Sequence, residues 1–256
     1  MKTSIPGSGR YCVIGSSFIG AVRVAYARAP QLAAPWRFDF WGRPQPDFKD
    51  MDIVDGRITG ARFHAAEGSG HIADYDGFFL YGDLLNPYEV LALEVRLKGQ
   101  GFSSQVREAV IEDRLKASGD ARMKDRLHFQ TEAPVWMLSR VTHRQNHQLK
   151  TQDEYNWGLE QLHRHIGALT HLDMPELLDE RFVTRTELSV GSLNLEGGAT
   201  TAETADCDLQ HLNEAGGRVV LAAMMRAIAT TRVSEIAEVA TDPTVGRPSW
   251  RFWQKR

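Results

Sequence analysis

The sequence predicts an α/β protein: a single three-layer αβα domain built on a mostly parallel central sheet. Two observations carry this expectation. Short apolar runs that stop at Gly, Ser, Asn or Pro alternate with longer segments whose apolar residues recur at helical spacing. Strands separated by helices need crossover connections, which make neighbouring strands parallel and cover both faces of the sheet. The second observation is size, since 256 residues with 42% hydrophobic content suffice for a single core of this kind. No internal repeat, low-complexity tract or linker divides the chain, so residues 1–256 read as one domain.

Taken in order, RYCVIGSS is a short apolar run ending in turn formers, and FIGAVRVAYARA after it sets Ile19, Val22, Tyr26 and Ala29 on one helical face. Strand, sharp turn and helix follow. WRFDFWG, Trp36 to Gly42, alternates and is aromatic, which predicts a second strand before the Pro-rich RPQPDF. In MDIVDGRITGARFHA an Asp-Gly pair between β-branched segments marks a two-residue hairpin, an insertion at a sheet edge. YDGFFLYGDLLNP gives a third core strand, Phe78 to Tyr81, ended by Gly82 and by Asn86-Pro87. SSQVREAVIEDRLKAS opens with capping serines and carries Val106, Val110, Ile111 and Leu115 on one stripe, an amphipathic helix. APVWMLSRV predicts a fourth strand, DEYNWGLEQLHRHIGALT a helix, and ERFVTRTELSV a fifth strand or extended segment. A last helix from Glu214 to Thr230 turns Val220, Leu221, Met224, Met225 and Ile228 inward.

Charge excludes some functions. With 30 basic and 33 acidic residues and a net charge of −3, nothing suggests a nucleic-acid surface. MKTSIPGSGR has no apolar core ahead of a cleavage site, and no run is long enough to span a bilayer, so the expectation is a soluble, cytoplasmic protein without a membrane partner. Cys12 and Cys207 are too few for a disulfide framework.

Parallel sheets place ligand sites at the C-terminal ends of their strands, which directs attention to VIGSSFIG. Gly15 and Gly20 have P-loop spacing, but Ala21-Val22 stands where Lys and Ser or Thr are required, and the dinucleotide fingerprint is absent. Ser17 on the strand-to-helix turn could instead be a nucleophile, while the plainer alternative is that Ser16 or Ser17 caps the helix. A serine hydroxyl needs a base to become nucleophilic. DCDLQHLNEAGGRVV offers one: Asp208 and His211, three apart before the last helix, can present carboxylate and imidazole to one point.

VIGSSFIG resembles the first block of the SGNH, or GDSL-type, hydrolase superfamily, and DLQHLNEAGGRVV resembles its last, in which Asp-x-x-His-x-Asn precedes the closing helix. The resemblance implies a flavodoxin-like SGNH fold with Ser17 as nucleophile, His211 as general base and Asp208 as the group that orients it. It implies an oxyanion hole from the Ser17 N–H, from Gly42 in FWGRP and from Asn86 in YGDLLNP. The third block departs from the usual Gly-x-Asn-Asp, with Gly82 and Asn86 four apart, which makes Asp83 or the Gly82 backbone substitutes for Asn86; Ser16 stands where Asp or Asn commonly precedes the nucleophile. The implied activity is a serine esterase acting on small acyl esters, O-acetyl groups of a carbohydrate foremost, with no cofactor and no metal. The partner is then a small-molecule or glycan ester, and a homo-oligomer stays open. An O-acyltransferase and a catalytically silent binding protein of the same fold are the alternatives.

Other features have plainer readings. His143 and His147 have i, i+4 spacing, with His163, His165 and His171 further on, but no Glu follows His143 and no Cys is near, so solvated histidines are expected over a metal site. Trp250, Phe252 and Trp253 in the basic tail read as aromatics docked on the domain, and Trp41 as a core-strand residue within reach of the pocket.

Overall fold

The computed structural model describes residues 8–45, 47–65, 69–141, 151–167, 170–189, 193 and 211–241. Its centre is a six-stranded sheet. Strands β1 (Gly9–Gly15), β2 (Trp36–Gly42), β6 (Gly77–Tyr81), β7 (Val135–Leu138) and β8 (His171–Leu172) are parallel, and β5 (Phe63–Ala65) adds an antiparallel edge beside β2. The spatial order is β5-β2-β1-β6-β7-β8, so the five parallel strands, counted among themselves, run 2-1-3-4-5. That is a doubly wound order whose crevice lies where the winding reverses, between the first and third parallel strands, β1 and β6. β3 (Asp52–Val54) and β4 (Arg57–Thr59) form a separate hairpin whose turn residues, Asp55 and Gly56, have φ of 49° and 71°. This is the left-handed pair that an Asp-Gly turn supplies.

Alternation along the strands splits the core into two. Tyr11, Val13, Phe79 and Tyr81 face one side and meet α1 (Ile19–Arg28) and α6 (Glu214–Thr241) through Ile19, Val22, Val220, Leu221, Met224 and Ile228. Cys12, Ile14, Phe78 and Leu80 face the other and meet α2 (Pro87–Gly99), α3 (Ser104–Lys116), α4 (Gly119–Gln130) and α5 (Gln152–Ile166) through Leu93, Ile111, Leu115, Met123, Leu127 and Leu162. Helices therefore flank the sheet on both faces, and the strands read as continuous apolar runs because neither face sees water. Cys12 is a buried free thiol, and Cys207 lies outside the described residues.

Three expectations change. ERFVTRTELSV is not the fifth strand: it forms only an isolated bridge, Leu178 with Thr184, and a 3₁₀ turn, Thr186–Leu188. Its Arg and Glu residues are largely exposed, and the edge position goes to His171–Leu172, whose backbone pairs with Met137 and Leu138. Val106 lies outside the buried stripe of α3, 42% exposed, because the first turn of that helix overhangs the core that Ile111 and Leu115 fill. The last helix continues past Thr230 to Thr241. Among the described residues no helix is long and apolar enough to cross a membrane.

Candidate active site

The end of β1 is held against β6 at van der Waals limits. A Cβ on Gly15 would lie 2.3 Å from Tyr81 O and 2.4 Å from Ile19 Cγ2, so only glycine lets the strand turn into α1 at this point. The next residue is locked in place: Ser16 N donates to Tyr81 O at 3.1 Å, and Ser16 Oγ, fully buried, donates to Gly82 O at 2.8 Å. Ser17 is different. It is partly exposed, and its Oγ lies 2.7 Å from His211 Nε2. Neither serine caps α1, whose N-cap is Phe18 and which has no side-chain cap bond. The two serines thus separate cleanly into a structural one and one paired with an imidazole across 194 positions of sequence.

His211 is placed by the start of α6. Asn213 Oδ1 accepts the Gly216 amide at 3.0 Å, while Asn213 Nδ2 and N donate to Glu187 O and Leu188 O at 2.7 and 2.9 Å. This cap ties the turn to the 3₁₀ segment beneath it. The imidazole packs on Phe18, ring centroids 5.5 Å apart, and Phe18 in turn stacks on Tyr81 at the same separation. Below the turn, α6 meets α1 backbone to backbone: a Cβ on Gly217 would come within 2.2 Å of Ala21 O. The helices that begin just after Ser17 and His211 are therefore in direct contact, and an Arg28–Glu214 ion pair adds to it. Asp208 lies outside the described residues.

The expected oxyanion groups are distributed as follows. Gly42 ends β2 in register with Gly15 on one side and Phe63 on the other, and its carbonyl accepts Arg62 N at 3.0 Å. Asn86 is nearly buried and caps α2 in a capping box with Glu89; its Oδ1 accepts Glu89 N at 2.9 Å and its Nδ2 donates to Val141 O at 3.1 Å. One amide hydrogen of Asn86 is therefore in use within the fold and the second remains. The Gly82 and Asp83 amides, the substitutes suggested by the sequence, are in use too. They and the Leu84 amide donate to one oxygen of Asp120, at 3.1, 2.6 and 2.7 Å.

Asp120 is the residue the sequence reading missed. Fully buried in the first turn of α4, it shapes the loop after β6 from 36 to 38 positions away. Burial, followed by the neighbouring Asp83 carboxylate, raises its pKa to about 7 against the opposing pull of the three amides. A Ser-Gly-Asp start to a helix is legible as a capping signal, but nothing local reveals its distant partner.

Of the histidines expected to be solvated, His163 and His165 are half-buried on α5 and His171 is buried, so the expectation does not hold for His171. His143 and His147, and the tail with Trp250, Phe252 and Trp253, lie outside the described residues. Trp41 donates from Nε1 to Tyr75 Oη at 3.1 Å, and Tyr75 donates to Asp39 at 3.0 Å, which also takes Arg10. His171 is buried on β8, its Nε2 2.6 Å from Ser139 Oγ, and burial with the nearby His163 lowers its pKa to about 3. Among the described residues no three His, Cys, Asp or Glu side chains converge as a metal site would require. Comparison with known proteins returned no matching family model, no similar curated protein and no similar solved structure.

Proposed function

We propose that the protein is a serine esterase of the SGNH type that cleaves small acyl esters, O-acetyl groups of carbohydrates foremost. The observation that carries this reading is the 2.7 Å contact between Ser17 Oγ and His211 Nε2 at the C-terminal edge of the parallel sheet. Doubly wound sheets bind their ligands at this edge. With Oγ–H donating to Nε2, the imidazole accepts the proton as Oγ attacks the ester carbonyl, then returns it to the departing alkoxide; water repeats the cycle on the acyl-enzyme. Asp208, three residues before His211, is assigned to hold the imidazolium. The Ser17 and Gly42 N–H groups and the second amide hydrogen of Asn86 are assigned to the oxyanion, where each donor is worth about 100- to 1,000-fold in turnover.

A fluorophosphonate probe tests this directly. Peptide mapping is expected to find one adduct, on Ser17, that disappears in His211→Ala. Folded wild-type protein that takes up no probe would refute the esterase and leave a silent binding domain.

A further inference from the structure

Beside the serine turn lies a cavity of about 210 Å³ whose charge pattern the hydrolytic step does not use. Gln45, Phe48, Asp83, Leu85, Arg114 and Arg140 form its wall. It is linked to the reactive turn through one atom: Gly82 O accepts both the Ser16 hydroxyl, at 2.8 Å, and Gln45 Nε2, at 3.2 Å. Asp83 and Leu85 belong to the loop after β6, the strand next to β1. The cavity is thus joined to the nucleophile's own turn through the Gly82 peptide group.

Two guanidinium groups border it. Arg114, in the last turn of α3, is exposed and has no hydrogen-bond or ion-pair partner among the described residues. Arg140 gives one N–H to Glu89, and its Nε is buried without a hydrogen-bond partner. Glu89 pairs with Arg140, so Arg114 is the guanidinium of this wall without an ion-pair partner among the described residues. The remaining acid, Asp83, accepts the Asp120 amide at 3.2 Å and can also accept hydroxyl groups. A free guanidinium fork suits a planar carboxylate, whereas a dianion would meet Asp83 and Glu89 as like charges. Arg114, Arg140 and Leu85 also border a larger groove, about 800 Å³, that runs between α2 and α3, so a ligand held at the arginines has room to continue.

We infer that this cavity receives the alcohol part of the ester, and that this part carries a carboxylate: the substrate class is an acylated hydroxy acid or sugar acid. The catalytic place of the cavity rests on the esterase reading; its binding chemistry does not.

Calorimetric titration of the full chain with D-glucuronate and with D-glucose, at low salt, separates the two. Glucuronate is expected to bind at least about tenfold more tightly than glucose, and Arg114→Gln and Arg140→Gln each to weaken it by roughly tenfold, the scale of one charge-assisted hydrogen bond. Added salt should narrow the difference, since Arg114 is exposed. Equal affinity for the two sugars, or glucuronate binding indifferent to both substitutions, would overturn the inference. Tighter binding of glucose 6-phosphate than of glucuronate would overturn the choice of a monoanion. Arg114→Gln removes no hydrogen bond or ion pair among the described residues and so is expected to keep its fold even where Arg140→Gln, losing the Glu89 pair, does not. Fluorophosphonate labelling of the same samples keeps the two readings apart. Labelled Ser17 without glucuronate selectivity overturns the cavity assignment alone. Selectivity without labelling supports the carboxylate site and removes the esterase.

Discussion

Two serine–histidine pairs stand among the described residues, and their geometries are nearly the same: Ser17 Oγ lies 2.7 Å from His211 Nε2, and Ser139 Oγ lies 2.6 Å from His171 Nε2. Their surroundings differ in every other respect. Ser17 and His211 are partly open to solvent at a strand-to-helix turn, whereas Ser139 and His171 are 7% exposed each. The cavity beside the second pair measures only about 30 Å³. Burial lowers the pKa of His171, and its Nδ1 has no hydrogen-bond partner among the described residues. A short hydroxyl–imidazole bond can thus be a property of packing as well as of chemistry, and access to solvent is what separates these two.

The comparison breaks most readily on activity. Ser17→Ala and His211→Ala are each expected to lower ester hydrolysis by roughly 10⁴- to 10⁶-fold, and Ser139→Ala to leave it within about twofold. Probe found on Ser139 in the peptide map would erase the distinction. Gly217→Ala comes next. Its methyl group would overlap Ala21 O, 2.2 Å away, and lift α6 from α1. A displacement of that order at the base costs about 100-fold in turnover, to be read as the labelling rate of Ser17 alongside an intact circular dichroism spectrum.

The third prediction concerns the loop between the pairs, whose Gly82 O takes Ser16 and whose Leu84 O accepts Arg140 N at 3.1 Å. Asp120→Ala leaves three amides without their acceptor and is expected to destabilise by about 3 kcal/mol in urea unfolding, while Asp120→Asn keeps an acceptor and loses much less. Because the folded carboxyl titrates near 7 and the unfolded one near 3.8, the folded state holds the extra proton between them. The stabilisation is therefore full below about pH 4 and is lost as pH rises to 7, a slope absent in Asp120→Asn. The last effect has the opposite sign. His171 is depressed from 6.5 to about 3, so its contribution is present above pH 6.5 and fades as pH falls toward 3, by no more than about 1.4 kcal/mol per pH unit. His171→Gln should flatten that acid limb and leave ester hydrolysis unchanged.

What could be read in the sequence follows from how local its causes are. Strands β1, β2, β6 and β7 stood out because burial on both faces makes uninterrupted apolar runs. The Asn86-Pro87 pair shows the limit: as a dipeptide it marks a stop, yet here Asn86 is the N-cap and Pro87 the first residue of α2, an equally good use of a missing N–H. That helix went unread, as did α4, whose apolar side is reduced to Met123 and Leu127 amid charged residues. β8 is two residues long, too short for any period. Within the site, Ser17 and His211 were legible because each sits in a short motif beside a helix start. Phe18 against His211, Gly217 against Ala21, and Asp120 under Gly82 were not, since each depends on a contact between segments far apart in the chain.

The contact of Gly217 with Ala21 has one more consequence. Ser17 and His211 are referenced to each other by two helices that touch, and not by the chain that connects them. Length and composition can therefore drift elsewhere, in the β3–β4 hairpin or along the α2–α3 groove, without altering the distance on which proton transfer depends. On the proposed esterase reading, reaction and selectivity are separately variable in this architecture, so a lineage could exchange one substrate for another while the pair at its centre stayed the same.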